Sequence, residues 1–409
     1  MNIFGAMRLP RSVALGSGQR RALGAITARL GKKALICTDA RLGVSAELAE
    51  IVADLKASGV DVCVYDQTQP DLPVESVVDC VEQVRDFGAD VVLGIGGGSS
   101  MDMAKVVAVL LTHGGDFRQY YGEFNVPGPV MPLIAVPTTS GTGSEVTPVA
   151  VVSDDERGAK VGIASPHLIP IAAVCDPELT VTCPPFLTAL SGADALTHAV
   201  EAFTTLKRPV DPLLTEQHVF MGKNVLSDQF ARLAVLNIWK SLHKAFTDGT
   251  DIEARENLML ASLAAGCAFG AAGTAAAHAL QYPVGNLTHT AHGDGVACLL
   301  PYVMQFNQPA CIDQFAELGA LVGVGESGMD QATLSQRFID GVASLLASVN
   351  IPRTLKDMGL AEDKQDYVAE TSLNSARLIK NNPRPLDLGA MKSITYAAYS
   401  GDRMALQSA

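Results

Sequence analysis

Asp194 and His198 stand four residues apart in Gly192-Ala-Asp-Ala-Leu-Thr-His-Ala-Val-Glu201. On a helix that spacing puts a carboxylate and an imidazole on one face, one turn apart. Two such groups are how a helix offers ligands to a divalent cation. Further imidazoles come roughly eighty residues later, in His278-Ala-Leu-Gln-Tyr-Pro-Val-Gly-Asn-Leu-Thr-His-Thr-Ala-His-Gly293. Taken alone, Asp-x-x-x-His serves equally as a solvated carboxylate and a core histidine, so the weight falls on what surrounds it. Glu201, three residues after His198, reads as an ion-pair or solvated-face residue, with orientation of the ligands as the alternative.

Upstream lie elements suited to a nucleotide. Lys33 to Asp39, Val60 to Tyr65 and Asp90 to Ile95 are short apolar runs, while Val44 to Ser58 and Val74 to Phe87 have helical periodicity. That alternation predicts βαβ units and a parallel sheet, with ligands at the strands' C-terminal ends. At one such end is Gly94-Ile-Gly-Gly-Gly-Ser-Ser-Met-Asp-Met-Ala-Lys105. Its glycines allow a tight turn close to a pyrophosphate, and a helix starting near Ser99 offers unpaired N–H groups to the phosphates. Ser99 stands where a G-x-G-x-x-G motif has its third glycine. The strand Met131–Pro137 runs into Thr138-Thr-Ser-Gly-Thr-Gly-Ser-Glu-Val-Thr147, a hydroxyl-rich loop with donors for a nicotinamide ribose and phosphate. Residues 149–152 and 171–174 read as further strands. The prolines of 176–185 mark a crossing between domains.

After Pro185 the strand signals stop. Helical patterns cover 186–203, 227–246, 252–280, 312–321, 330–349, 363–370 and 387–400, with Asp387 as the N-cap of the last. Residues 207–224 read as a surface excursion. The fold class is therefore an α/β Rossmann-like domain with a parallel sheet over residues 1–185, followed by an all-α domain over 186–409.

Composition excludes some functions. The 409 residues carry a formal charge of -13, which opposes a nucleic-acid or anionic-membrane partner. Eight scattered cysteines without a C-x-x-C pair fit a reducing compartment. No long apolar N-terminal segment suggests a secretory signal, so a cytoplasmic location is expected. Leu258–Leu280 is uncharged and long enough to span a bilayer, but it is rich in Ala and Gly and reads as a buried helix.

Gly96–Lys105, Pro137–Thr147, the Asp194/His198 pair and the His278 to Gly293 segment occur here in one order. Together with Asn382-Pro-Arg-Pro385, they resemble the iron-containing (group III) alcohol dehydrogenase family over nearly the whole chain. The resemblance implies a dinucleotide domain, a helical domain and a catalytic divalent metal in the cleft between them. It places the metal ligands on Asp194, His198, His278 and His292. His289, one helical turn before His292, is assigned beside the ligand set. The cofactor contacts fall on Asp39, Gly97, Gly98, Ser99, Asp102, Thr138, Thr139, Thr142, Thr147, Val151 and Lys160. Asp39 is expected to bind ribose hydroxyls and oppose a 2′-phosphate, favouring NAD over NADP.

One departure stands out. Many members carry a second histidine four residues after the one equivalent to His278, and here that position is Tyr282. Tyr282 and His289 are thus the candidate catalytic side chains. Three imidazoles and a carboxylate suit Fe²⁺, with Zn²⁺ accepting the same ligands. The implied activity is hydride transfer between NAD and a small alcohol or aldehyde, in a homodimer or larger homo-oligomer. A hydroxyacid–oxoacid transhydrogenase that retains its cofactor is one alternative. A dehydroquinate-synthase-like lyase is another.

Overall fold

The computed structural model describes residues 3–154, 156 and 159–408. The chain forms two compact units. One comprises Arg8–Cys183 with Thr215–Val219; the other comprises Met1–Met7, Pro184–Leu214 and Phe220–Ala409.

The first unit is built on a six-stranded parallel sheet of order β1-β9-β6-β4-β2-β3. Its strands are β1 (Ser12–Leu15), β2 (Lys33–Cys37), β3 (Asp61–Tyr65), β4 (Val91–Gly96), β6 (Leu133–Pro137) and β9 (Ala172–Cys175). The central strands are apolar throughout because helices cover both faces. Leu35 and Val92 join one core with Met103 and Val107, whereas Ile36 and Leu93 join the other with Leu48 and Leu55. The covering helices are α1 (Leu23–Ala28), α2 (Ala40–Gly43), α3 (Ala46–Ala57), α4 (Val74–Val84) and α5 (Gly98–His113). The connection after β2 runs outward to β3, and the next returns to β4 on the other side of β2. The crevice outside the C-terminal ends of β2 and β4 is therefore a topological switch point, where open α/β sheets bind ligands.

A smaller sheet joins β5 (Gly122–Glu123), β8 (Ala159–Ala164) and β7 (Val149–Asp154). The run at 149–152 thus lies outside the parallel sheet, paired antiparallel with β8. The edge strand β1, absent from the sequence reading, pairs with β9.

The second unit is helical: α6 (Pro185–Thr204), α8 (Val225–Thr247), α9 (Ile252–Ala272), α10 (Ala276–Thr288), α11 (His292–Val322), α12 (Gln331–Ser348), α13 (Gln365–Ser372), α14 (Ala376–Asn381) and α15 (Leu388–Ser400); of the short helix α7 (Leu214–Gln217), only Leu214 belongs to it. Side-chain caps start several of them, including Asn224 on α8, Asp251 on α9 and Asp387 on α15.

Two expectations need correction here. The single helix expected over 252–280 is two helices bent by 104°. Gly273, at φ +81, makes the break, and a Cβ there would meet Asn381 Nδ2 at 2.4 Å. Among the described residues no single helix is long and apolar enough to cross a membrane. The excursion at 207–224 is only partly superficial. Val210 and Leu213 are exposed, but Val219, Phe220 and Met221 are buried.

Candidate functional site

α6 carries Asp194 and His198 on one buried face, as their spacing requires. α10 presents His278 in its first turn, and α11 begins at His292. The three helices bring the side chains together. His198 Nε2 lies 3.7 Å from Asp194 Oδ1, and Nε2 of His278 and of His292 each lie 3.9 Å from that oxygen. Donor atoms bound at about 2.1 Å to one cation stand roughly 3–4 Å apart; the donor atoms of Asp194, His278 and His292 lie within 4.8 Å of one another and fit a divalent ion, while His198 reaches that set through Asp194. The buried Nε2 of His278 has no hydrogen-bond partner among the described residues. A lone pair without a donor, aimed at a carboxylate oxygen, suits coordination and little else.

The surroundings hold each imidazole. His278 Nδ1 is 2.6 Å from Glu201 Oε2. A carboxylate only accepts, so Nδ1 carries the proton and Nε2 keeps its lone pair. His292 Nδ1 is 2.8 Å from Gln281 Oε1, which sets the same tautomer. Gln281 fits there because Gly285 and Gly295 flank it: a Cβ at either would approach it to 2.6 Å. Gly293 lets α11 start against α6, since a Cβ there would meet Leu190 O at 2.5 Å. The His198 ring stacks on Phe269 with centroids 4.2 Å apart and on His278 at 4.7 Å.

Glu201 is buried, contrary to the ion-pair or solvated-face reading. Besides His278 it accepts hydrogen bonds from the N–H groups of Ala275 at 2.8 Å and Ala277 at 2.7 Å. It thus caps the N-terminus of α10, whose own N-cap, Ala275, has no side chain able to do so. Gln281 was missed in the sequence; its signal is its place three residues after His278, on the same helical face.

Tyr282 packs beside the cluster, its ring centroid 6.4 Å from that of His292. Burial raises its phenol pKa, against a downward pull from Arg377. His289 is different. It ends α10 in the left-handed conformation (φ 53, ψ 26) and is exposed, and α11 starts afresh three residues later. The non-helical residues 289–291 separate α10 from α11, so His289 and His292 are not a turn apart on one helix as expected.

The other motifs meet at the C-terminal ends of β2, β4 and β6. Cys37 pairs with Gly94 and Gly96 with Pro137, so Asp39, the glycine turn and Thr138 follow neighbouring strand ends. Asp39 Oδ1 accepts from Leu42 N at 2.9 Å and caps α2. Gly97 and Gly98 are tight against the hydroxyl loop: a Cβ on Gly98 would meet Thr142 Cγ2 at 2.7 Å, and one on Gly97 would meet Thr139 Oγ1 at 3.6 Å. Gly97 caps α5, whose first turn includes Ser99.

Asp102 accepts from Ser144 Oγ at 2.5 Å and Val151 N at 2.9 Å. Buried Lys105 donates to Ser144 Oγ (2.9 Å), Thr147 O (3.0 Å), Thr147 Oγ1 (3.3 Å) and Val149 O (2.8 Å). Asp102, Thr147 and Val151 are thereby tied into one network that shapes the loop, and Thr138 is buried. Lys160, by contrast, ion-pairs with Asp71. Lys105 was missed, although it stands three residues after Asp102 on the same helix.

Residues 10–177 match the family "Iron-containing alcohol dehydrogenase", and residues 188–399 match "Fe-containing alcohol dehydrogenase family, C-terminal". Long-chain-alcohol dehydrogenase 1 of Geobacillus thermodenitrificans is 36% identical over 377 residues, 91% of each chain. The NAD-dependent methanol dehydrogenase of Bacillus methanolicus is 33% identical, over 92% of this chain and 95% of that one. The solved alcohol dehydrogenase from Oenococcus oeni superposes with a TM-score of 0.90 at 30% identity, covering 97% of this chain and all (100%) of that one. The chain belongs to the iron-containing alcohol dehydrogenase family. It is an oxidoreductase of that class.

Proposed function

We propose that this chain is a metal-dependent, NAD(H)-linked alcohol dehydrogenase or aldehyde reductase acting on a small substrate. The observation that carries the reading is the convergence of three imidazole Nε2 atoms to 3.7–3.9 Å from one carboxylate oxygen of Asp194. The residues that would hold the ion are Asp194, His198, His278 and His292. When bound there, Fe²⁺, or Zn²⁺ with the same donors, supplies Lewis acidity at an alcohol or carbonyl oxygen, while NAD takes or returns hydride at the adjoining carbon.

The chain's own residues prepare that reaction. Glu201 and Gln281 hold the protons of His278 and His292 on Nδ1, leaving both Nε2 lone pairs for the ion. Tyr282, a phenol whose pKa burial raises further, is a hydrogen-bond donor at neutral pH and not a base. At the switch point, the glycine turn and the first N–H groups of α5 are the candidate phosphate site, and Asp39 the candidate ribose partner. The network around Lys105 holds the hydroxyl loop in shape. The matched relatives are named for a long-chain alcohol and for methanol, so substrate size differs among them. Eight cysteines not joined in disulfides fit a cytoplasmic enzyme, and a homo-oligomer is the proposed assembly.

The test is NADH formation from primary alcohols by protein reconstituted with Fe²⁺. Turnover that requires both metal and added NAD supports the proposal. Hydride exchange between a hydroxy acid and an oxo acid without added NAD replaces it with the transhydrogenase reading. No net oxidation of any alcohol, with metal bound, overturns it.

A further inference from the structure

Glu201 holds the His278 ring and Gln281 the His292 ring, each through a hydrogen bond at Nδ1. On His198 the structure shows contacts to the faces of the ring. Phe269 lies nearly parallel to it, with centroids 4.2 Å apart and planes 16° apart. His278 stacks on it as well, at 4.7 Å and 25°. Side chains from α9, α6 and α10 thus build one stack of rings with His198 in the middle. Phe269 stands nine residues before His278, and the run from Leu258 to Leu280 contains no other phenyl, phenol or indole ring.

Both walls of the stack are fixed. His278 is anchored by Glu201. Phe269 stands in the last turn of α9, where its carbonyl accepts from Gly273 N at 2.7 Å. Asn381 donates to Ala272 O at 3.3 Å and Thr274 O at 3.2 Å, tying that helix end to α14. The Phe269 side chain is buried in the core of the helical unit, in one cluster with Ala199 and Ala265. His198 is the ligand that most needs such walls. The donor atoms of Asp194, His278 and His292 lie within 4.8 Å of one another, and His198 reaches them through Asp194, at 3.7 Å. The terminal torsion of an imidazole is broad, so rotamer preference alone does not aim its Nε2. A ring packed between two aromatic faces has that torsion set for it. A phenyl group has no atom that ligates a cation or makes an ordinary hydrogen bond. Phe269 therefore acts through its face and by keeping water from the ligand.

We propose that Phe269 is a positioning residue of the metal site, clamping the His198 ring against His278 so that Nε2 of His198 stays directed at the ion. It does through a ring face what Glu201 and Gln281 do for the other two imidazoles through hydrogen bonds. This rests on the assignment of His198 as a ligand and deepens it. Loss of the ring leaves Asp194, His278 and His292 in place and lets His198 swing. The consequence is an ion held more weakly and coordinated differently, in a chain that still folds.

The experiment compares wild type with Phe269→Leu and Phe315→Leu. Phe315 belongs to the same core and its ring packs on Phe338, so its replacement removes a ring that touches no ligand in the stack. Zn²⁺ affinity is measured by chelator competition. Coordination is read from the visible absorption of Co²⁺-loaded protein, which is stronger for four-coordinate than for six-coordinate Co²⁺. Phe269→Leu is expected to weaken Zn²⁺ binding by about tenfold, the lower end for loss of a residue that orients a ligand, and to change the Co²⁺ absorption. Phe269→Tyr, which keeps the ring, is expected to recover most of the affinity. Phe315→Leu is expected to melt below wild type with its Zn²⁺ affinity and Co²⁺ absorption unchanged. Wild-type affinity and absorption in Phe269→Leu overturn the proposal. An equal loss of affinity in Phe315→Leu also overturns it, because the effect then belongs to the core as a whole. His198→Ala tests the assignment beneath: an unchanged Co²⁺ absorption there removes His198 from the ligand set.

Discussion

Glu201 Oε2 lies 2.6 Å from Nδ1 of His278, although the two residues are 77 positions apart in the chain. The same carboxylate takes the N–H groups of Ala275 and Ala277. One side chain on α6 therefore both starts α10 and sets the tautomer of its first histidine. Every partner of Glu201 is a donor, so an amide in its place can accept through one oxygen only and turns an NH₂ group on the others. Glu201→Gln is expected to weaken metal affinity by about 10- to 100-fold, as loss of a partner that orients a ligand does. Chelator competition measures this, and an unchanged affinity would show that Glu201 serves the helix alone.

Asp39 caps α2 and is the proposed ribose partner, and one substitution separates the two roles. Its carboxylate caps α2, so removing the side chain altogether would also cost the cap. Asparagine caps about as well as aspartate while lacking the charge. Asp39→Asn is expected to raise the kcat/KM ratio of NADP⁺ to NAD⁺ by about tenfold with little change in thermal stability, because the 2′-phosphate no longer meets a carboxylate. A wild-type enzyme that already prefers NADP⁺ would remove Asp39 from the ribose.

For Tyr282 the measurement is a rate. Tyr282→Phe keeps the ring beside His292 and deletes the hydroxyl. A loss of about tenfold in kcat/KM on the best substrate is expected, equal to about 1.4 kcal/mol and to one hydrogen bond in the transition state. Equal kinetics in the two proteins would leave Tyr282 as a packing residue.

Glu145 and Lys105 give the sheet unit a pH signature. Burial pushes the Glu145 carboxyl up to about 7, and its Oε2 has no hydrogen-bond partner. Burial likewise brings the Lys105 ammonium down to about 8. A carboxyl whose folded pKa is raised binds its proton more tightly when folded, so stability falls as pH rises from the unfolded value of 4.5 to about 7. A lysine whose folded pKa is lowered loses its proton first when folded, so stability rises between about 8 and 10.5. Between those limbs, at pH 7–8, the pair contributes least. Glu145→Gln is expected to melt higher than wild type at pH 8, with the difference shrinking at pH 5, where both side chains are neutral. Thermal melts across that range check it, and a difference that grows toward low pH would contradict it.

The sequence was most informative where periodicity and burial coincide. Lys33–Cys37, Val91–Gly96 and Leu133–Pro137 are apolar throughout because both faces of their sheet are covered, and such runs stand out without a structure. Ser12–Leu15 does not stand out: it is a short edge strand whose Val13 is 42% exposed. The break at Gly273 was hidden for another reason. It lies in a run of small residues with no change of composition, and the side chain that packs against it, Asn381, is more than a hundred residues away. The start of α11 at His292 was equally hidden, which put His289 on the wrong helix. At the site, the i, i+4 pair of Asp194 and His198 is a local pattern and could be read directly. Glu201 and Gln281 act through partners that only the folded chain supplies.

Metal content decides the central claim most directly. Wild-type protein reconstituted with Fe²⁺ and desalted is expected to retain about one equivalent per chain by elemental analysis. His292→Ala is expected to lose most of it, together with NAD-linked turnover, while still binding NAD. A His292→Ala protein that keeps full metal and full turnover would contradict the assignment of Asp194, His198, His278 and His292 as the catalytic metal site.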